Sequence, residues 1–178
     1  APHMFTRPAH CVRGDASNAK VNPPLREQRD MEAVREGLRD GTIDVIASDH
    51  APHAVTDKEV EFEYAASGMI GLETSLALSL RLVTDGFLSL PELVTRMSAR
   101  PVAILGVPGG SLAPGAPADL TVIDLERRWT VSPEGIRSRS RNTPFLGWHL
   151  TGKAVLTMKG GAVTHSDLLR DHERPDQP

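Results

Sequence analysis

The sequence predicts an α/β fold that gives way to a β-rich tail. Three observations carry that expectation. A strand, helix, strand pattern runs through "NAKVNPPLREQRDMEAVREGLRDGTIDVIAS", residues 18–48. The composition then turns Gly/Pro-rich at Val107, over "VPGGSLAPGAPAD". Beyond it, Gly160-Gly161 separates two alternating apolar runs, which is a hairpin signal.

The elements follow in order. "NAKVNPPLR" reads as a short strand halted by Pro23-Pro24, because proline cannot donate to a ladder. Residues 27–40 read as a helix: Met31, Val34 and Leu38 share a face, and Gly41 stands at its C-terminal stop. "TIDVIAS" reads as a strand covered on both faces, since Ile43, Val45, Ile46 and Ala47 are nearly continuous. Strand, helix and strand buried in this way are the grammar of parallel α/β folds. A polar loop, "AVTDKEVEFEYAASG", comes next, and then a helix from about Leu72 to Thr84 that stops at Asp85-Gly86. Ser89 and Glu92 form a capping box for a helix whose Leu90, Leu93, Val94 and Met97 make one apolar stripe. Pro101 opens a short last helix, "PVAILG". "VPGGSLAPGAPAD" is irregular and lacks the spacing of a phosphate-binding glycine loop. "DLTVIDL" and "KAVLTMKGGAVTH" read as strands, and "DHERPDQP" as a frayed polar tail.

Composition bounds the function. With 178 residues, 39% hydrophobic, the chain is large enough to bury a core. A net charge of −3 with no basic block argues against nucleic acid. Cys11 is the single cysteine, which excludes an intrachain disulfide and fits a reducing, cytoplasmic setting. No apolar run reaches the roughly 18 residues of a membrane span, so no membrane role is expected. No signal peptide is recognisable. The chain starts at Ala1, which reads either as a processed end or as a chain cut from something longer.

The chemistry concentrates in "SDHAPH". In parallel α/β folds, function collects at the C-terminal ends of strands, where Asp49 is expected. A carboxylate there can bind a divalent metal, act as a general base, or do both. His53 can ligate a metal or hold an anionic group. Asp49 can equally cap the next turn, with His50 and His53 as solvated loop residues. The spacing does not choose between these readings, because "DHAPH" holds neither H-x-H nor C-x-x-C.

A resemblance does choose. "NAKVNPPLREQRD", "GLRDGTIDVIASDHAPH", "GMIGLETSLAL", "GGSLAPGAPADLTVIDL" and "SRNTPFLGWHLTGKAVLTMKGGAV" together resemble the C-terminal part of a dihydroorotase, of the long-chain class of cyclic amidohydrolases. Hydantoinases and allantoinases share the architecture; "DHAPH" and "NPPLR" point to dihydroorotase. The resemblance implies the C-terminal part of a TIM-like (β/α) barrel over residues 1–107. It implies the C-terminal share of a β-sandwich domain over residues 108–178. It implies zinc, one or two ions, and the reversible hydrolysis of dihydroorotate to N-carbamoyl-L-aspartate in pyrimidine synthesis.

Position by position, Asp49 matches a zinc ligand that also moves a proton between the attacking hydroxide and the ring amide. His53 matches a histidine that holds the substrate carboxylate. Asn22 matches an asparagine that hydrogen-bonds the substrate. Ser67 and Gly68 match a pair whose backbone closes over the pyrimidine ring, although the family usually carries a bulkier residue at position 67. His50 has no matched role and is expected to be solvated or to support its neighbours. His3 is expected to be structural, as are His10, His149, His165 and His172. Arg26 is expected to form a salt bridge, and Trp129 and Trp148 to pack.

The family's remaining metal ligands, including an H-x-H, are not found in this sequence. A catalytic zinc takes about three protein ligands, so the chain alone is expected to be inactive and to bind zinc weakly. Two partners are consistent with the resemblance: a second copy of the chain, and aspartate transcarbamoylase. The second belongs to an alternative reading, in which the chain is a non-catalytic dihydroorotase-like scaffold. Retention of Asp49, His53 and Asn22 favours the enzyme.

Overall fold

The computed structural model describes residues 1–9, 12 and 16–168. His10, Cys11, His172 and the "DHERPDQP" tail lie outside the described residues. The elements are α1 (His3–Thr6), a 3₁₀ turn (Ser17–Ala19), α2 (Gln28–Asp40), α3 (Val55–Lys58), α4 (Leu72–Thr84), α5 (Leu90–Val94) and α6 (Arg100–Leu105). Three strands follow: β1 (Leu120–Thr130), β2 (His149–Lys159) and β3 (Ala162–Ser166). They form one antiparallel sheet in the order β1-β2-β3.

α4 is the spine. Thr74, Ser75, Ala77, Leu78, Ser79, Leu80 and Leu82 are all buried, so the helix meets neighbours nearly all round. Ala77 and Leu78 belong to a core with Val21, Leu25, Met69, Ile70, Val131, Ile136, Phe145 and Leu150. Leu80 and Leu82 belong to a second core with Phe5, Leu38, Ile46, Leu88 and Leu93. One helix therefore ties the N-terminal segments to the sheet.

The helices follow their local signals. α2 buries Met31 and Leu38, the Glu27 N–H donates to Asp30 at its start, and Gly41 at φ +89° ends it. Ser89 and Glu92 form the expected reciprocal cap. The stripe beyond it is narrower than expected: Leu93 is buried and Leu90 and Met97 pack on the core, but Val94 is exposed. A π-helical turn, Thr95–Ala99, links α5 to α6. Pro101 accounts for it, since proline has no N–H to give the preceding turn and the helix widens there. In the polar loop after His53, α3 forms, a helix of one turn that the sequence reading did not include.

Two expected strands are not strands. Residues 20–21 are extended, and the Lys20 carbonyl accepts one bond, from Gly68 N–H at 2.8 Å, but no ladder forms. Residues 44–48 are likewise unpaired with any strand. They are fixed instead by Arg96: its carbonyl accepts from Ile46 N–H at 3.0 Å, and its guanidinium donates to the Ile43 carbonyl at 2.7 Å. Nor is this stretch covered on both faces, because Ile46 is buried whereas Ala47 is exposed. The physical reason is common to both. A parallel strand takes its bonds from segments remote in sequence, and none lies beside these residues among those described.

The β-rich tail forms as expected. β2 and β3 pair across Gly160 (φ +57°) and Gly161 (φ +85°), the left-handed pair that a two-residue turn of this hand requires. Trp129 donates to the Gly152 carbonyl at 3.1 Å, and Trp148 packs edge-on against Phe145. Both tryptophans are packing residues.

Candidate functional site

Two loops run side by side at one end of α4. His50 and Met69 form a parallel bridge, and the Ala51 N–H donates to the Met69 carbonyl at 2.9 Å. This is the parallel pairing that the sequence placed in the preceding strand, reduced to one bridge. The loops bring His53, Ser67 and Gly68 together. The His53 ring bonds the Ser67 carbonyl through Nε2 at 3.0 Å. A carbonyl only accepts, so Nε2 carries the hydrogen.

Gly68 could not be another residue. Its φ is +141°, and a Cβ there would lie 2.7 Å from both His53 Nε2 and Ala51 Cβ. Asn22 is exposed and lies two residues from Lys20, whose carbonyl holds Gly68 N–H. Asn22 therefore borders the loops through the backbone, with no side-chain bond to them shown.

Asp49 is set apart by its backbone. It has φ +52°, the one non-glycine residue in the left-handed region among the described residues. Such a conformation costs of order 1–3 kcal/mol and gathers at functional sites. The carboxylate is 52% exposed, so it faces solvent rather than capping a turn. Beneath it, Nε2 of His3 lies 3.6 Å away. His3 is buried, as expected of a structural residue, but its contact with Asp49 was not legible in the sequence. Burial lowers its pKa to about 4 against the opposing pull of Asp49. At neutral pH His3 is thus an uncharged neighbour with a nitrogen able to ligate or to hydrogen-bond.

His50 turns out to have a partner of its own. Its Nδ1 accepts the N–H groups of Gly71 at 3.1 Å and Leu72 at 3.3 Å. These are free donors at the start of α4, and Gly71 has no side chain to satisfy them. His50 is the N-terminal cap of α4, supplied from another segment.

Two further residues build the loops. Lys58 is buried, and its ammonium donates to the Ala66 carbonyl at 2.7 Å and the Gly68 carbonyl at 3.0 Å. Burial, and then the nearby Lys20, lower its pKa. Asn142, also buried, reaches in from the segment between β1 and β2, and its carboxamide donates to the Ala51 and Gly68 carbonyls. Neither residue carried a signal in the sequence beyond lying in a polar loop and in "SRNTPF".

The remaining candidates stand elsewhere. His149 lines an open groove with Leu80, Arg81, Leu90 and Leu125, which holds none of the candidate residues. His165 lies 3.5 Å from Asp167. Arg26 pairs with Asp30 at 3.6 Å, as expected. No helix among the described residues is long and apolar enough to cross a membrane.

Among the described residues, no group of three or more His, Cys, Asp or Glu side chains gathers where one ion could bind. His3 and Asp49 provide two donors, short of the three that a catalytic zinc takes. The described residues alone do not fit a complete metal site.

The comparisons with known proteins agree with one another. A family model described as the amidohydrolase family matches residues 8–164. The chain is 55% identical over 166 residues to a dihydroorotase of Syntrophus aciditrophicus (strain SB), covering 93% of this chain and 39% of that relative. It is 53% identical over 165 residues to a dihydroorotase of Geobacter metallireducens, with the same coverage. Among solved structures, an L-hydantoinase (dihydropyrimidinase) from Arthrobacter aurescens superposes with a TM-score of 0.83 at 35% identity, over 93% of this chain and 38% of that one. A D-hydantoinase superposes with a TM-score of 0.84 at 20% identity, a likeness of fold alone. The chain thus spans about two fifths of the length of the curated relatives it matches.

Proposed function

Because the chain belongs to the amidohydrolase family, a family tied to metal cofactors and to folds related to the TIM barrel, we propose that its gene product is a dihydroorotase. The reaction is the reversible hydrolysis of dihydroorotate to N-carbamoyl-L-aspartate in pyrimidine synthesis. One observation carries the reading: 55% identity to a dihydroorotase across 93% of the chain, against 35% to the hydantoinase of similar fold. In this reading residues 1–107 belong to the last strands and helices of the barrel. Residues 108–178 are the C-terminal share of a β-sandwich. Zinc is the cofactor, with Asp49 among its ligands and the others outside the described residues. The cytoplasm is the compartment, and a second copy of the chain is a candidate partner.

The residues then divide the work. The His53 ring holds the substrate carboxylate at the mouth of the two loops. Asn22 hydrogen-bonds the ring. The Ser67-Gly68 backbone lies along the ring face, and the glycine lets the His53 ring and Ala51 pack directly against it. Asp49 moves a proton to the amide nitrogen that leaves when the ring opens, a general acid–base role. Its exposed carboxylate on a strained backbone supports that assignment.

A second reading has an observation of its own. The described residues do not gather a metal-ligand set, as in a chain that scaffolds a partner such as aspartate transcarbamoylase. Ring opening of dihydroorotate by the complete gene product, compared with its Asp49→Asn variant, separates the two. The enzyme reading expects turnover in the wild type and a fall in kcat of roughly 10²–10⁴-fold in the variant. No turnover in a folded, metal-loaded wild type would favour the scaffold, and an unchanged kcat in the variant would remove Asp49 from the chemistry.

A further inference from the structure

We infer that Asn142 is a positioning residue for His53: its buried carboxamide fixes the two loops between which the His53 ring acts. The inference rests on the reading of His53 as the group that holds the substrate carboxylate.

Asn142 is 4% exposed, and its hydrogen-bonding capacity is spent on these loops. Nδ2 gives one hydrogen to the Ala51 carbonyl at 2.9 Å and the other to the Gly68 carbonyl at 3.1 Å. Oδ1 accepts the His53 N–H at 3.3 Å. Its own backbone carbonyl accepts the Ile70 N–H at 3.0 Å. The Ser140 hydroxyl bonds the His53 carbonyl at 2.7 Å and also reaches Asn142 Oδ1.

One residue therefore grips positions 51 and 53 on one loop and 68 and 70 on the other. Both polar groups of the His53 backbone are held from the 140–142 segment. A carboxamide is suited to this task, because it offers two donors and an acceptor in one plane. The fit matters because the space is narrow. The His53 ring rests on the Ser67 carbonyl, and there is no room for a Cβ at residue 68. A shift of either loop changes where the imidazole points. Asn142 lies under the loops rather than in the mouth, so it acts through His53.

Asn142→Asp tests this in the complete gene product. The change keeps shape and volume but turns the two donated bonds into a carboxylate oxygen facing two carbonyls. The expected result is a rise in KM for dihydroorotate of about tenfold or more, since misplacement of the order of 1 Å costs up to about a hundredfold. kcat should move less. A double-mutant cycle gives the readout that general destabilisation would not mimic. In a His53→Ala background, Asn142→Asp should change KM by less than about twofold, because the residue it acts through is gone.

Equal effects in both backgrounds would overturn the inference, as would an unchanged KM in the single variant. Ser140→Ala removes one bond to the same loop and is run through the same cycle, with a smaller KM effect expected. It decides the matter if Asn142→Asp does not fold. Should the wild type not turn over dihydroorotate at all, the functional reading fails separately. The positioning role is then read from amide exchange. In Asn142→Asp, or in Ser140→Ala if that variant alone folds, the His53 amide should lose protection while strand β2 keeps its own. Unchanged protection would overturn it.

Discussion

"TIDVIAS" and "KAVLTMK" read alike in the sequence, as short apolar runs rich in β-branched residues, and they fold differently. The second lies inside β2 and is bonded on both sides, by β1 and by β3. The first is extended, with Ile46 buried and its backbone tied to Arg96, but without a ladder. The contrast shows that a strand is a property of a pair. β2 carries its partner with it, because Gly160 and Gly161 turn the chain back at once and little closure entropy opposes the pairing. A parallel strand must wait for a neighbour at least a dozen residues away. Residues 43–48 find only the tail of such a pairing, the His50–Met69 bridge. The candidate site sits just there, with Asp49 at φ +52° beside the bridge.

The largest way to break this comparison is to separate the regions. Phe145 is 1% exposed and lies in the core shared by α4, Met69 and the sheet, so it joins the loops to the laddered strands. Phe145→Ala should destabilise by roughly 3–5 kcal/mol in thermal or denaturant unfolding, the range for deleting a buried phenyl ring. A loss below about 1 kcal/mol would mean that the loops hold without the sheet.

A smaller effect sharpens the other side. Asp119 anchors the β2–β3 turn: its carboxylate pairs with Lys159 and accepts the Gly160 N–H. Its hydrogen bond from Lys159, and then that from Gly160, hold its pKa below the usual carboxylate range. A lowered folded-state pKa means a contribution that is present above the unfolded value and lost as pH falls through the folded one. Acidification below the usual carboxylate range should therefore loosen the hairpin end, and Asp119→Asn should abolish that dependence. The shift should be smaller than that of Phe145→Ala, because the pair is exposed and screened. Amide signals of residues 160–162, followed against pH in both proteins, give the test.

What could be read from the sequence divides along the same line. Helices α2, α4 and α5 were legible almost to the residue, because their signals are local: Gly41 after α2, Ser89 and Glu92 at α5, Asp85-Gly86 after α4; the one-turn helices α1 and α3 were not. The hairpin was legible for the same reason. The strands at 20–21 and 43–48 were over-read, because apolar patterning records burial and not the presence of a partner. In the site, "DHAPH" and the Ser67-Gly68 pair are adjacent in space, as a shared role would require. The supporting residues were not legible. His3 meets Asp49 from 46 positions away, and Asn142 meets His53 from 89 positions away. A polar side chain whose partner is that remote leaves no local pattern. His50 was legible only as a histidine without a task, and its task is to cap a helix 21 residues on.

The central claim is the substrate, and the most direct measurement is a ratio. kcat/KM of the complete, metal-loaded gene product is compared for dihydroorotate and for a hydantoin that lacks the carboxylate. A site that holds a carboxylate through His53 loses that contact when the carboxylate is missing, and the ratio should favour dihydroorotate by roughly 10²-fold or more. His53→Ala should shrink it. Equal rates on the two substrates, or a preference for the hydantoin, would contradict the account.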